Sequence, residues 1–424
     1  MPTAISSATS ASRKIHPIRP RPSDLGGFLA AACVVAVLLA GCAIAPPATP
    51  PPVTAPTPTP FVTYVPVGWS ALPGWSDDRA QDAWPAFRAG CRSLVDADRT
   101  RERWPEACTA AAAIEPVDSA SVRVFFERHF SPYEVRAADG SDRGLITGYY
   151  EPLLAGSRQR TARYMVPLYA TPDDLLTVDL TSLHPDLKGR RLRGRVDGRR
   201  VVPYWSRAEI EAGKAPLANK VLVWVADPVE AFFLQVQGSG RVELDDGSVI
   251  RVGYDDQNGH PYQSIGRILV ERGELPLERA SLQGIREWGR RNPAKLPALL
   301  DENPSYVFFR EVPPPTPGTL DAAIDGPIGS LGVPLLRGRT VAVDPRSIPL
   351  GTPVYLATTY PLSDRPLERL VLAQDTGGAI RGAVRADFFW GFGDEAGREA
   401  GRMRQQGRLW LLWPRGIPLP TPSP

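Results

Sequence analysis

From Arg339 to Trp413 the apolar residues come in runs too short to make helices, and Gly or Pro closes nearly every one. Arg339–Val343 stops at Asp344-Pro345. Pro353–Ala357 follows Ile348-Pro349-Leu350-Gly351-Thr352, Leu370–Ala373 leads into Asp375, and Arg408–Trp413 reads as a last strand. Such punctuation predicts a small closed barrel rather than a parallel sheet flanked by helices. One helix is expected inside this stretch, capped by Asp394, running to Gln406 and ending with Gly407 at its C′ position.

Two carboxylates lie close together in the same region. Asp375 enters the Gly377-Gly378 turn, and Asp387 immediately precedes the aromatic block Phe388-Phe389-Trp390. Low polarity disfavours the ionised form of an acid, so Asp387 is the candidate general acid, able to hold a proton near neutral pH. The plainer reading makes Asp375 a turn cap and Asp387 a surface partner of Arg385 or Arg381.

The chain has 424 residues, 43% of them hydrophobic, enough for two or three domains with real cores. Its net charge of +3, with Lys and Arg scattered, gives no general case for nucleic-acid binding. At the N-terminus, Arg13, Lys14, Arg19 and Arg21 precede the apolar run Phe28–Leu39, which has the length of a secretory core rather than a membrane span. The run ends in Leu39-Ala40-Gly41-Cys42, which resembles the lipobox of bacterial lipoproteins. Residues 1–41 are thus expected to be a signal peptide and Cys42 the lipidated residue. Ala43 and Ile44 after the Cys favour, by the same resemblance, the outer membrane, facing the periplasm. Residues 42–67, rich in Pro and Thr, read as an extended tether; at roughly 3.1 Å per residue, about 20 residues reach about 60 Å.

Helices are expected over Asp77–Leu94, Glu102–Ala113 and after an Asp118 N-cap. With Cys33 removed and Cys42 lipidated, Cys91 and Cys108 remain as a pair in an oxidising compartment and are expected to form a disulfide. In Gly144–Leu154 (GLITGYYEPLL), Thr147, Tyr149, Tyr150 and Glu151 lie on an extended run. A Tyr pair beside Gly suits a glycan groove, and would serve equally as core tyrosines of a sheet. From about Arg160 to Pro304 the texture changes. Short strands (Met165–Tyr169, Val221–Val225, Val249–Val252) mix with helices opening at Ser206, Ser264 and Leu277, and Gln237-Gly238-Ser239-Gly240 reads as a tight turn. The four histidines, His16, His129, His184 and His260, show no ligand spacing, so neither metal nor cofactor is expected.

The stretches Gly326–Leu356 and Ala373–Gly397, with TGYYEP, QVQGSG, DQNGHPYQSIG and NPSYVFFRE upstream, resemble the membrane-bound lytic transglycosylase A family, MltA. Asp344, Asp375 and Asp387 match the three-aspartate (3D) core shared with other cell-wall proteins. The resemblance implies a mainly β fold with peripheral α-helices, in which a double-psi β-barrel is interrupted by a second β-rich domain. It divides the chain into residues 68–159 (helices and first part of the barrel), 160–304 (inserted domain) and 305–413 (second part of the barrel); residues 414–424, rich in Pro, read from composition as a disordered tail. It also implies cleavage, without water, of the β-1,4 bond between N-acetylmuramic acid and N-acetylglucosamine in peptidoglycan, leaving 1,6-anhydromuramyl ends. Asp387 falls on the family's catalytic acid and Asp375 on an auxiliary acid. Thr147, Tyr149, Tyr150, Gln237 and Ser239 fall in motifs lining the glycan groove. Expected partners are glycan strands and the membrane through the lipid; other wall enzymes as partners are left open. A non-cleaving, expansin-like peptidoglycan binder is the alternative, separable by the absence of anhydro products.

Overall fold

The described residues of this computed structural model are 61–96, 103–115, 117–187 and 192–421. The expected signal peptide, Cys42 and most of the tether lie outside them. In chain order the first elements are β1 (Val62–Pro66), α1 (Trp84–Asp96), α2 (Pro105–Ala112), α3 (Ser119–His129), β2 (Phe130–Ala137) and β3 (Gly144–Glu151). Next come β4 (Leu153–Ser157), β5 (Val166–Tyr169), β6 (Leu176–Thr177), β7 (Arg193–Asp197), β8 (Arg200–Pro203), α4 (Arg207–Glu211), β9 (Val221–Val225) and α5 (Pro228–Gln237). They are followed by β10 (Ser239–Leu244), β11 (Val249–Gln257), α6 (Ile265–Glu271), α7 (Leu282–Arg291), α8 (Leu296–Asp301), β12 (Val307–Val312) and α9 (Leu320–Ile324). The last are β13 (Thr340–Val343), β14 (Pro353–Thr359), β15 (Pro366–Asp375), β16 (Ala386–Phe392), α10 (Gly393–Arg402) and β17 (Arg404–Pro414).

The strands β14-β15-β13-β16-β3 are joined in that order, and β17 pairs with both β14 and β3, so the ring is closed. The parallel pairs β13–β15 and β16–β3 sit among antiparallel neighbours, as a double-psi barrel requires. Residues 340–343, 353–356, 370–374 and 409–414 are unbroken buried runs because both faces of the sheet are covered there. Val371, Ala373, Leu409, Leu411 and Trp413 fill the interior; the intervening Leu370, Leu372, Trp410 and Leu412 pack outward against Trp84, Phe87, Phe125 and Phe126 of α1 and α3. Each of the Val, Leu and Phe side chains contributes about 1.5–3 kcal/mol by leaving water. Asp118 caps α3 by accepting from Ser121 N, and a disulfide joins Cys91 of α1 to Cys108 of α2, with Cα atoms 5.6 Å apart. Buried Arg339 donates to Asp78 at 2.8 Å and ties the segment before α1 to the barrel.

A second sheet, in the order β12-β11-β10-β4-β9-β5, carries α5 on one face. It draws β4 and β12 from outside the expected 160–304 span, because Leu154 and Phe309 are core residues of this sheet. At the crossing, Arg241 of β10 bonds Glu151 at the end of β3, and both Arg241 and Arg251 bond Asp325 after α9.

Several expectations are corrected. The tether does not extend to residue 67: Val62–Pro66 is a strand antiparallel to β2, since Val62 is an interior residue, and Pro66 is tolerated on this edge strand. Nor is the tail disordered from residue 414 through the described 421. Trp413 Nε1 donates to Pro418 O at 3.0 Å, Arg415 bonds Glu127 O, and Ile417 packs on the barrel core. The helix expected to reach Gln406 ends at Arg402, because residues 404–407 are needed to pair with β3. Gln237-Gly238-Ser239-Gly240 is a helix end rather than a tight turn. Gly238 takes the left-handed conformation (φ +83°) after α5, and Ser239 starts β10.

Candidate active site

Ala342 of β13 is in register with Asp387 of β16 on one side and Asp375 of β15 on the other; Asp387 is in turn paired with Thr147 of β3. Residues in register share a face, so Thr147, Asp387, Ala342 and Asp375 form a row across four strands. A register shift between Val341 and Ala342 puts Asp375, rather than Gln374, beside Ala342. Gln374 instead bonds Ala86 O on the helix side. Such irregularities re-aim single side chains. With one strand between them, the Cα atoms of the two acids are about 10 Å apart.

The floor beneath the row is apolar: Tyr149, Leu335, Ala342, Ile380 and Phe389 form one cluster on this outer wall of the barrel. Asp387 and Asp375 are half-buried above it. Desolvation pushes the Asp387 carboxyl up to about 6; the Thr147 hydrogen bond and the Arg385 charge oppose this, and Asp375 adds to it. A carboxyl so placed can carry and release a proton near neutral pH. Thr147 Oγ1 donates to Asp387 Oδ1 at 2.5 Å.

Asp375 is raised by burial against the hydrogen bonds that favour its charged form. Its Oδ1 accepts from Ser330 N (3.0 Å), Ser330 Oγ (2.9 Å) and Thr376 N (2.9 Å), and its Oδ2 from the Tyr149 hydroxyl (3.1 Å). Among the described residues it makes no hydrogen bond to Asp387. Burial and the neighbouring carboxylates push the Tyr149 hydroxyl well above its ordinary value, which keeps it a donor.

The third aspartate, Asp344, is fully buried and belongs to the scaffold. Burial would raise it, but Arg346 and the backbone N–H groups of Gly382 and Arg346 hold it below the usual carboxylate range. Its bond to Gly382 N, 2.9 Å, anchors the loop that leads into β16.

Not every expected site residue joins this row. Tyr150 points to the opposite face, where it packs on Gly397 of α10; Gly148, also on that face, has no room for a Cβ, which would lie 2.9 Å from Ala400 Cα. There Tyr150 lines a cavity of about 230 Å³ with Glu230, Arg286 and Asp394, which contains neither acid. Gln237 accepts from the Tyr150 backbone N–H at 3.2 Å, and Ser239 pairs with Gly253 within the second sheet. His260 bonds Tyr204 O through Nε2, and Asn258 bridges Trp205 and Pro304, so the DQNGH motif binds loops together. Ser330 was missed, although it lies in the GPIGSLG stretch. Among the described residues, no group of three or more His, Cys, Asp or Glu side chains is placed to hold a metal ion.

A closed double-psi ring that displays a protonatable carboxyl over an apolar floor, with a second β domain threaded between its halves, defines a two-domain class of acid-bearing β-barrel protein. Residues 145–310 match the family model described as the MltA specific insert domain, and residues 339–413 match the 3D domain. The chain belongs to the MltA family. It is 34% identical over 291 residues to membrane-bound lytic murein transglycosylase A of Escherichia coli K12, covering 66% of this chain and 68% of that protein. The crystal structure of MltA from Neisseria gonorrhoeae (monoclinic form) is similar with a TM-score of 0.73 and 38% identity, over 86% of this chain and 95% of that one. E. coli MltA with bound chitohexaose is similar with a TM-score of 0.57 and 27% identity, over 84% of this chain and 93% of that one.

Proposed function

We propose that this protein is a lytic transglycosylase that cleaves the β-1,4 bond between N-acetylmuramic acid and N-acetylglucosamine in peptidoglycan and leaves 1,6-anhydromuramyl ends. The observation that carries the reading is Asp387, a carboxyl held up to about 6 on the face that also bears Thr147 and Tyr149, in a chain of the MltA family. The protonated acid gives its hydrogen to the glycosidic oxygen, positive charge builds on the muramyl ring, and the resulting carboxylate takes a proton from that sugar's O6 as O6 attacks C1. The nucleophile is tethered to the substrate, so proximity replaces a positioned water. Asp375 fits the supporting role: three donors hold its Oδ1 and the Tyr149 hydroxyl its Oδ2, which fixes the carboxyl in place beside the reacting bond. Its charge faces the oxocarbenium-like state.

Glycan strands are the proposed partner, as chitohexaose is for the E. coli relative. Tyr149 and Thr147 lie beside the cleaved bond, whereas Tyr150, Gln237 and Ser239 serve the site indirectly, fixing the end of β3 against the second sheet. The inserted domain supplies one side of the glycan path. The Leu39-Ala40-Gly41-Cys42 sequence supports a lipid anchor on Cys42 and an outer-membrane location facing the periplasm.

Digestion of sacculi in ¹⁸O-labelled water, with mass analysis of the sugar termini, tests the reaction. Anhydro ends free of ¹⁸O are expected. Reducing ends carrying the label would make the protein a hydrolase, and intact sacculi would favour a non-cleaving binder.

A further inference from the structure

Arg385 is a half-buried guanidinium whose hydrogen-bond partners are all neutral. Nη1 donates to Leu145 O (3.2 Å) and Ala386 O (2.6 Å), and Nη2 donates to Thr147 Oγ1 at 2.9 Å. Among the described residues no carboxylate lies within ion-pair distance of it. Burial lowers its pKa and the nearby Asp387 raises it. Withdrawing a guanidinium from water without a bonded anion is costly, so its position needs a reason.

The donor inventory supplies one. Arginine can only donate, whereas a threonine hydroxyl has one hydrogen to give. Once Arg385 occupies a lone pair of Thr147 Oγ1, the hydroxyl hydrogen points along the 2.5 Å contact to Asp387 Oδ1. Oδ1 is then an acceptor, and a hydrogen on the acid belongs on Oδ2, which has no hydrogen-bond partner among the described residues. The arrangement is rigid because Thr147 and Asp387 are register partners on parallel strands, and two backbone carbonyls fix the guanidinium.

We propose that Arg385 and Thr147 form a positioning relay that confines the transferable proton to Oδ2 of Asp387 and steadies the carboxylate left when that proton departs. This rests on the reading of Asp387 as the acid and base. The Oδ2 proton goes to the glycosidic oxygen, and the C1–O bond breaks with its electron pair on that oxygen. O6 then bonds to C1, and the O6 hydrogen returns to Oδ2. Negative charge on Asp387 is greatest midway, when the Thr147 hydrogen bond and the Arg385 charge act most strongly. The relay therefore bears on kcat rather than on KM.

The test is a double-mutant cycle in the full-length protein on purified sacculi, following anhydro-end release between about pH 4 and 8. Thr147→Val is expected to lower kcat roughly 10- to 100-fold and Arg385→Met roughly 10-fold, each with KM within about twofold and the basic limb moved to higher pH. Adding Arg385→Met to Thr147→Val should cost less than about a further threefold, and Thr147→Ser should stay within about twofold of the parent. Fully additive losses would overturn the relay, since Arg385 would then act independently of Thr147. So would losses confined to KM, an unmoved basic limb, or a Thr147→Ser variant as poor as Thr147→Val. Asp387→Asn, assayed alongside, separates the two readings: if it stays active the acid assignment itself fails, whereas an inactive Asp387→Asn with an additive cycle removes the relay alone.

Discussion

The Tyr149 hydroxyl donates to Asp375 Oδ2 at 3.1 Å, while its ring rests against Phe389, two residues beyond Asp387, with centroids 5.2 Å apart. One side chain thus forms part of the apolar floor and satisfies the second acid. Tyr149→Phe keeps the ring and deletes the donor, leaving one Asp375 oxygen without its bond. Turnover of sacculi is expected to fall roughly 10-fold with glycan binding retained, the scale of a lost hydrogen bond to a charged group. Unchanged turnover would show that Asp375 does not depend on Tyr149.

Asp387 should make activity and stability pull in opposite directions. Its folded pKa, about 6, is above the ordinary value, so the fold binds this proton more tightly than the unfolded chain does. The associated stability is present below about pH 4 and is lost as pH rises through about 6, amounting to at most about 3 kcal/mol. Asp387→Asn should therefore end anhydro-end release yet raise the melting temperature at pH 7, with the gain vanishing near pH 4. Parallel melts of both proteins across that range check this. A gain that persists at pH 4 would mean that ionisation is not its source.

Activity of the unmodified protein should decline as pH rises above about 6, because the acid must begin protonated. A rate–pH profile on sacculi measures it. A flat profile to pH 8 would contradict the role of Asp387 as the starting acid.

Asp344→Ala removes a buried carboxylate that holds Gly382 N and the Arg346 guanidinium. Leaving those donors unpaired should cost roughly 2–4 kcal/mol in denaturant unfolding. The loop feeding β16 should also exchange its amide hydrogens faster than the rest of the barrel. Protection equal to the parent's would show that Asp344 does not anchor that loop.

The disulfide between Cys91 and Cys108, 17 residues apart, closes a short loop between α1 and α2. Its removal by a Cys91→Ser/Cys108→Ser double substitution should cost about 3 kcal/mol on the chain-entropy model, with turnover by the folded protein unchanged. Denaturant titration with and without reductant measures the difference. A midpoint insensitive to reductant would show that the bridge adds nothing.

The barrel was legible because its strands bury both faces, which concentrates short apolar runs between Gly and Pro turns. The apolar setting of Asp387 was legible because an aromatic block follows it, of which Phe389 lies in the cluster beneath the acid and Phe388 in the barrel interior. Thr147 as its partner was not legible from spacing alone, since the two meet only through a parallel pairing of segments 240 residues apart. Two local signals misled. Gly407 looks like a helix stop, yet it sits in β17 opposite Gly144, where tertiary pairing overrides the cap signal. The glycines at 238 and 240 drew attention to a turn, although Asp227 before Pro228 is a good helix start. Around β1 the abundance of proline masked the alternation that begins at Val62.

The ring closes through β17, which joins β14 on one side and β3, then β2, on the other. A ribosome halted before Arg404 has already made every acid and hydroxyl named above, yet the wall bearing them has a missing stave. Such a chain would carry the full set of reacting groups and still lack the stave that joins β14 to β3.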